Sequence, residues 1–142
     1  MSAPRDALVR VIAKLFLPLS VLFGLYLAVE APLGAAGGVA GGLVICGAAA
    51  CHHSVFGATE ARRAAPLWFW RMMIGLGVTG LAIAIFAPLS SGAPLLTLSV
   101  VHEGGAIANI PASVRLLELA MLAITAGAGG TVLHALATEL RG

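Results

Sequence analysis

Charged side chains are scarce in this sequence. Lys, Arg, Asp and Glu together make up 10% of its 142 residues. A soluble domain carries roughly 25%, so there is too little charge here to coat a water-facing surface. The shortage also excludes an intrinsically disordered chain, which is polar and charged. A net charge of +2 spread along the chain makes no phosphate-binding patch, so nucleic acid is not an expected partner. Cysteine is nearly absent too. Cys46 and Cys51 stand five positions apart in one apolar stretch, about 140° apart on a helix. They read as small reduced core residues, with no disulfide framework.

Catalytic signatures are missing as well. No nucleophile motif, phosphate loop or paired carboxylates stand at usable spacing. The run from Gly37 to Gly42 has no Lys-Ser/Thr after it and no strand before it. Cys51, His52 and His53 invite a metal reading, but neighbours on a helix point about 100° apart and cannot converge on one ion. They read as interfacial residues. No catalytic residue, cofactor or metal site is expected.

What the chain does have is apolar bulk. Its apolar share is 60%, it holds 18 glycines, and its mean hydropathy is +1.03. A membrane-crossing helix needs about 20 mainly apolar residues. Four such runs stand at Leu8 to Val29, Gly37 to Phe56, Leu67 to Phe86 and Val114 to Leu136. Their apolar character is continuous, whereas the strands of a membrane barrel alternate. The helix breakers Pro32, Gly34, Pro66, Pro88, Gly92, Pro94 and Pro111 fall between the runs. The first run is long enough to span and is expected to do so rather than to be a cleaved leader. The expected fold is an all-α integral membrane protein, one four-helix domain over residues 1–142.

Basic residues set the orientation. Arg5, Arg10, Lys14, Arg62, Arg63, Arg71 and Arg141 fall on one side, and Arg115 alone falls on the other. Both termini are therefore expected in the cytoplasm. The third connection, Ala87 to Ser113, is long and mostly apolar or small. It reads as a segment that packs on a neighbour, and Leu95 to Val101 as a short strand or a stretch lying on the membrane.

Small residues spaced by four let membrane helices approach closely. Gly34, Gly38 and Gly42 form one such row, Gly37 and Gly41 a parallel one, and Gly47 to Ala50 continue the small surface. Gly75, Gly77 and Gly80 lie in the third run, and Gly127, Gly129 and Gly130 in the fourth. Part of this surface must join the chain's own helices. The rest points to other membrane subunits of a larger complex, with the lipid bilayer as the remaining partner.

Ionisable groups at membrane depth are functional candidates. Lys14 lies inside the first run, in register with Asp6 and Arg10 at a spacing of four. It either snorkels to the headgroups or belongs to an ion or proton path. Glu118 sits about one turn into the fourth run, three residues after Arg115. It either pairs with Arg115, or lines a hydrated cation path, or meets a charge on a partner. His134 reads as interfacial, and Trp68, Phe69 and Trp70 as an aromatic belt before Arg71. His102 and Glu103 read as solvated loop charges.

The order of these features resembles the B subunit of multisubunit cation/proton antiporters of the Mrp or Mnh type. The opening "LVRVIAKLFLPLSVLFGLYL" is similar to that family's first span. The family's Pro-Gly-Gly-Gly-Phe-x-Gly-Gly motif is matched by Ala35-Ala36-Gly37-Gly38-Val39-Ala40-Gly41-Gly42, followed by "GGLV" in the same register. Then come the outer loop with "GAPLL" and an acidic residue, Glu118, near the outer start of the last span. Ala35, Ala36 and Val39 replace the family's Pro, first Gly and Phe, which marks a divergent member. The resemblance implies a multi-pass plasma-membrane protein, an accessory subunit of a sodium/proton antiporter complex related to the membrane arm of respiratory complex I. It would complete the scaffold and line part of a cation path, without a catalytic centre of its own. The alternatives are the same kind of subunit in a hydrogenase or inorganic-carbon uptake complex, and a free-standing small membrane scaffold protein.

The charge asymmetry makes a direct test of topology possible. Reporter fusions at Gly142 and within Ser90–Gly92 are expected to lie on opposite sides of the membrane. Finding both on one side contradicts four spans.

Overall fold

The computed structural model describes residues 3–30, 37–90 and 112–139. Four helices follow in chain order: α1 (Ala3–Glu30), α2 (Gly37–Ala64), α3 (Leu67–Ser90) and α4 (Ala112–Glu139). Among the described residues there is no strand. Each helix holds a stretch long and apolar enough to cross a membrane: Leu8–Glu30, Gly37–Gly57, Leu67–Phe86 and Val114–Glu139. Helix is the form such runs take, because lipid offers no partner to an unpaired amide or carbonyl. Even the hydroxyls turn inward on the ladder. Ser54 donates to the Ala50 carbonyl at 3.0 Å and Thr79 to the Gly75 carbonyl at 2.9 Å. Gly34, the stretch Leu95 to Val101, His102, Glu103 and Arg141 lie outside the described residues, as do the side chains of Arg5 and Asp6.

The helices pack in the order α1, α2, α4, α3, with α1 also reaching α4. Small residues decide which faces meet. On α1 the stripe Ser20, Gly24, Ala28 is buried, while Leu19, Leu22 and Tyr26 point outward. On α3 the buried positions are Trp70, Gly77 and Ala84, seven apart and so on one face. A small apolar core of Ala28, Ile45, Leu122 and Ala126 fills the junction of α1, α2 and α4. The outer surface is greasy: Leu15 is 66% exposed, Leu22 65% and Phe86 60%. A water-soluble monomer does not present such a surface, whereas lipid or a membrane partner covers it without penalty.

One feature was absent from the expected pattern. The second run was expected to end at Phe56, but helix resumes beyond it as far as Ala64. Between the two pieces Gly57 adopts φ 79° and ψ 164°, a backbone region open essentially to glycine alone. Open space surrounds the position where a Cβ would sit, so conformation rather than crowding demands the glycine. The turned piece folds back on the bundle and buries Ala61 to 3% exposure. The Ala65 amide then bonds the Ala61 carbonyl at 2.9 Å, and the Phe69 amide bonds the Pro66 carbonyl at 3.0 Å, leading directly into α3.

Candidate functional site

The first two turns of α2 pack tightly against both α1 and α4. Gly37, Gly38, Gly41 and Gly42 are all buried. Gly41 faces α1, where an added Cβ would run into the Gly24 backbone, and one on Gly24 would come within 2.7 Å of the Gly41 carbonyl. Gly38 and Gly42 face α4. A Cβ on Gly42 would lie 2.6 Å from the Thr125 Cβ and 3.0 Å from the Leu122 carbonyl, and one on Gly38 would overlap the Glu118 carbonyl. The two parallel glycine rows thus serve two different neighbours. On the far side of α4, Gly127 lets the Trp70 carbonyl approach, Gly130 lies under the Trp70 ring, and Gly77 of α3 meets the Ala120 carbonyl. Gly129 leaves room for Cys46, whose thiol donates to the Thr125 carbonyl at 3.5 Å. Gly47 and Gly75, counted above with the small surface, meet nothing within 4 Å. Gly24 was missed, although Ser20, Gly24 and Ala28 carry the same spacing of four.

Glu118 ends in this crowded region. The Gly38 amide donates to Glu118 Oε2 at 2.5 Å. First-turn amides of a helix have no acceptor within the helix, and the N-terminal end of the helix dipole favours an anion. Glu118 therefore caps α2 from a neighbouring helix, through a short, charge-assisted bond. A Cβ on Gly38 would also stand 2.9 Å from that same carboxylate oxygen. The glycine and the glutamate form one structural unit. Sequence left open a local pair between Glu118 and Arg115. Among the described residues no such ion pair forms, and Arg115 is exposed. The carboxylate, half-buried, is directed to α2 instead.

Lys14 lies elsewhere. Its Nζ stands 6.0 Å from the centroid of the Phe56 ring, in the range of a cation–π contact. Phe56 directly precedes the Gly57 turn, so Lys14 is level with the end of the straight part of α2. Gly38 and Phe56 are separated by about 27 Å of helix. The two ionisable candidates, Glu118 and Lys14, thus sit near opposite ends of the bundle and do not meet. The His52 ring lies tilted against Phe56 with centroids 4.5 Å apart, and Cys51 is exposed. Among the described residues no group of three or more His, Cys, Asp or Glu side chains could hold a metal ion.

A family model described as a domain related to the MnhB subunit of Na+/H+ antiporter matches residues 8–138. No curated protein and no solved structure matches the chain.

The cap geometry separates the two charges of α4 experimentally. Glu118→Ala leaves the Gly38 amide without its acceptor and is expected to destabilise the folded chain by about 1–3 kcal/mol. Arg115→Gln breaks no described bond and is expected to stay within about 0.5 kcal/mol of the parent. Equilibrium unfolding of the purified chain in mild detergent measures both. Equal losses would show that the two charges depend on one another.

Proposed function

The chain belongs to the family of domains related to the MnhB subunit of Na+/H+ antiporters, and on that premise we propose that it is an accessory, scaffolding subunit of a multisubunit cation/proton antiporter. The family match over residues 8–138 carries the reading. The surface of the bundle supports it, because the outward side chains of α1 and α3 are large and apolar. Some of that surface meets other membrane subunits and some meets lipid. The whole chain acts as one four-helix unit in the plasma membrane, with both termini in the cytoplasm. It has no catalytic centre of its own, and the driving chemistry belongs to larger antiporter-type partners related to the complex I membrane arm.

Glu118 and Lys14 remain its candidates for contact with moving charge. Glu118 is the stronger. Its carboxylate lies more than one turn inside α4, whereas Glu30 and Glu139 close their helices. A carboxylate fixed on a helix N-terminus is held in place, which suits a group that meets a passing cation. Lys14, beside Phe56, faces the other end of any such route.

The reading is tested by isolating the tagged chain from its native membrane in mild detergent and identifying its companions by mass spectrometry. Large antiporter-type subunits are the expected companions. Hydrogenase or carbon-uptake subunits would move it to a related complex, and recovery of the chain alone would end the accessory reading. In the intact complex, Glu118→Gln still offers an oxygen to the Gly38 amide, so assembly is expected to persist. If the charge serves a cation path, sodium-dependent proton movement in vesicles falls roughly tenfold or more, about 1.4 kcal/mol or more. Unchanged transport would leave Glu118 as a structural cap only.

A further inference from the structure

The segment after the Gly57 turn, through Ala61, Ala64 and Ala65, lines a cavity of about 250 Å³. Its walls are mostly apolar, with Val21 from α1, Ile45 from α2, and Phe69 and Met73 from α3, while His52 and His53 supply polar groups. The helix order explains the space: α1 and α3 lie on opposite flanks of α2 and α4, and bulky side chains only partly fill the gap between them.

The polar part of this cavity adjoins a cluster of basic groups. His53 lies within electrostatic reach of His52, His134 and Arg62, and His134 within reach of Arg62 and Arg71. No carboxylate is among the groups acting on either histidine. Several of these nitrogens are sealed from solvent and yet bond to nothing: Nδ1 of His52, Nδ1 of His134, and both Nε and Nη2 of Arg62. Unpaired buried polar atoms are rare in native proteins and call for an explanation. The arginine pair is informative. Nε and Nη2 lie on one edge of the guanidinium, and their two N–H bonds form the fork that grips two oxygens of one phosphate.

We propose that this site binds an anionic phospholipid, with its phosphate at Arg62 and the neighbouring histidines and one acyl chain in the apolar cavity. The proposal rests on the chain being a membrane protein and not on which complex it joins. Location supports it. His52 and His53 stand in the last turns before Gly57 and Arg62 follows it, near the aromatic run Trp68 to Trp70 that marks the level where headgroups meet a spanning helix. Basic pockets between membrane helices suit lipid phosphates for the same reason. A free phosphate would satisfy the nitrogens and leave the greasy space unfilled, whereas a lipid uses both halves of the site. The phosphate also supplies a negative charge to Arg62 and Arg71, whose positive charges act on these histidines.

Native mass spectrometry of the full chain, delipidated in mild detergent and offered phosphatidylglycerol or phosphatidylcholine, reads the site. The parent chain is expected to retain phosphatidylglycerol, with roughly fivefold to tenfold preference over phosphatidylcholine. Arg62→Gln is expected to abolish that preference, and Arg63→Gln, which removes the same charge from an exposed neighbour, to keep it. Val21→Phe fills the apolar part without touching the basic groups and is expected to lower retention of phosphatidylglycerol. It keeps the test informative if Arg62→Gln fails to fold. Millimolar inorganic phosphate is not expected to displace the lipid. Equal loss in Arg62→Gln and Arg63→Gln would reduce the effect to net charge and overturn the site. So would equal retention of both lipids, full retention in Val21→Phe, or displacement by free phosphate. Companion subunits play no part in this measurement, so its failure is distinguishable from failure of the antiporter assignment.

Discussion

The approach of α4 to the first turn of α2 is limited by a single carbon atom. A Cβ at Gly38 would overlap the Glu118 carbonyl, and only its absence lets the Glu118 carboxylate reach the Gly38 amide. In lipid the hydrophobic effect does not push helices together, so close packing and polar bonds must do so. This junction supplies both at once. The positive end of the α2 dipole and the free first-turn amide both favour a carboxylate at this place. Four residues further on, Gly42 repeats the close approach to α4, and Gly41 does the same toward α1. The central pair α2 and α4 is set by these contacts, and α1 and α3 are added to its flanks.

Much of this architecture is legible in the sequence. Four continuous apolar runs can only be helices in a membrane, and the glycine rows marked α2 as the helix that others approach. The rows at Gly37 and Gly38 looked like one small surface, but a stripe of glycines does not say which neighbour it faces. Gly41 turned out to meet Gly24, and Gly42 to meet Thr125 and Leu122. Gly75 and Gly47 carry the same residue type at similar spacing and face open space. Spacing places a residue on a helix face, and only packing decides whether that face is used.

The charged groups were harder to read, for a related physical reason. Arg115 is three residues before Glu118, so sequence proximity suggested a pair. The acceptor found a better partner 80 positions away, because an unpaired amide at a helix start competes well against an exposed guanidinium. The basic cluster of His52, His53, Arg62 and His134 was not legible at all. It depends on the left-handed backbone at Gly57, which turns Arg62 back over the bundle, and one glycine among 18 does not announce itself. Both ends of the molecule thus use a glycine to bring charge to a helix terminus. One end places a carboxylate on a helix start, and the other gathers histidine and arginine side chains around the Gly57 turn.

The central claim is that Glu118 belongs to α2 rather than to Arg115. Solid-state NMR in lipid, with glycine labelled at its backbone nitrogen and glutamate at its carboxyl carbon, tests it directly. The expected result is a dipolar contact between the Gly38 nitrogen and the Glu118 carboxyl carbon that persists in Arg115→Gln. Absence of that contact, or its replacement by one between Glu118 and the Arg115 guanidinium, would contradict the account.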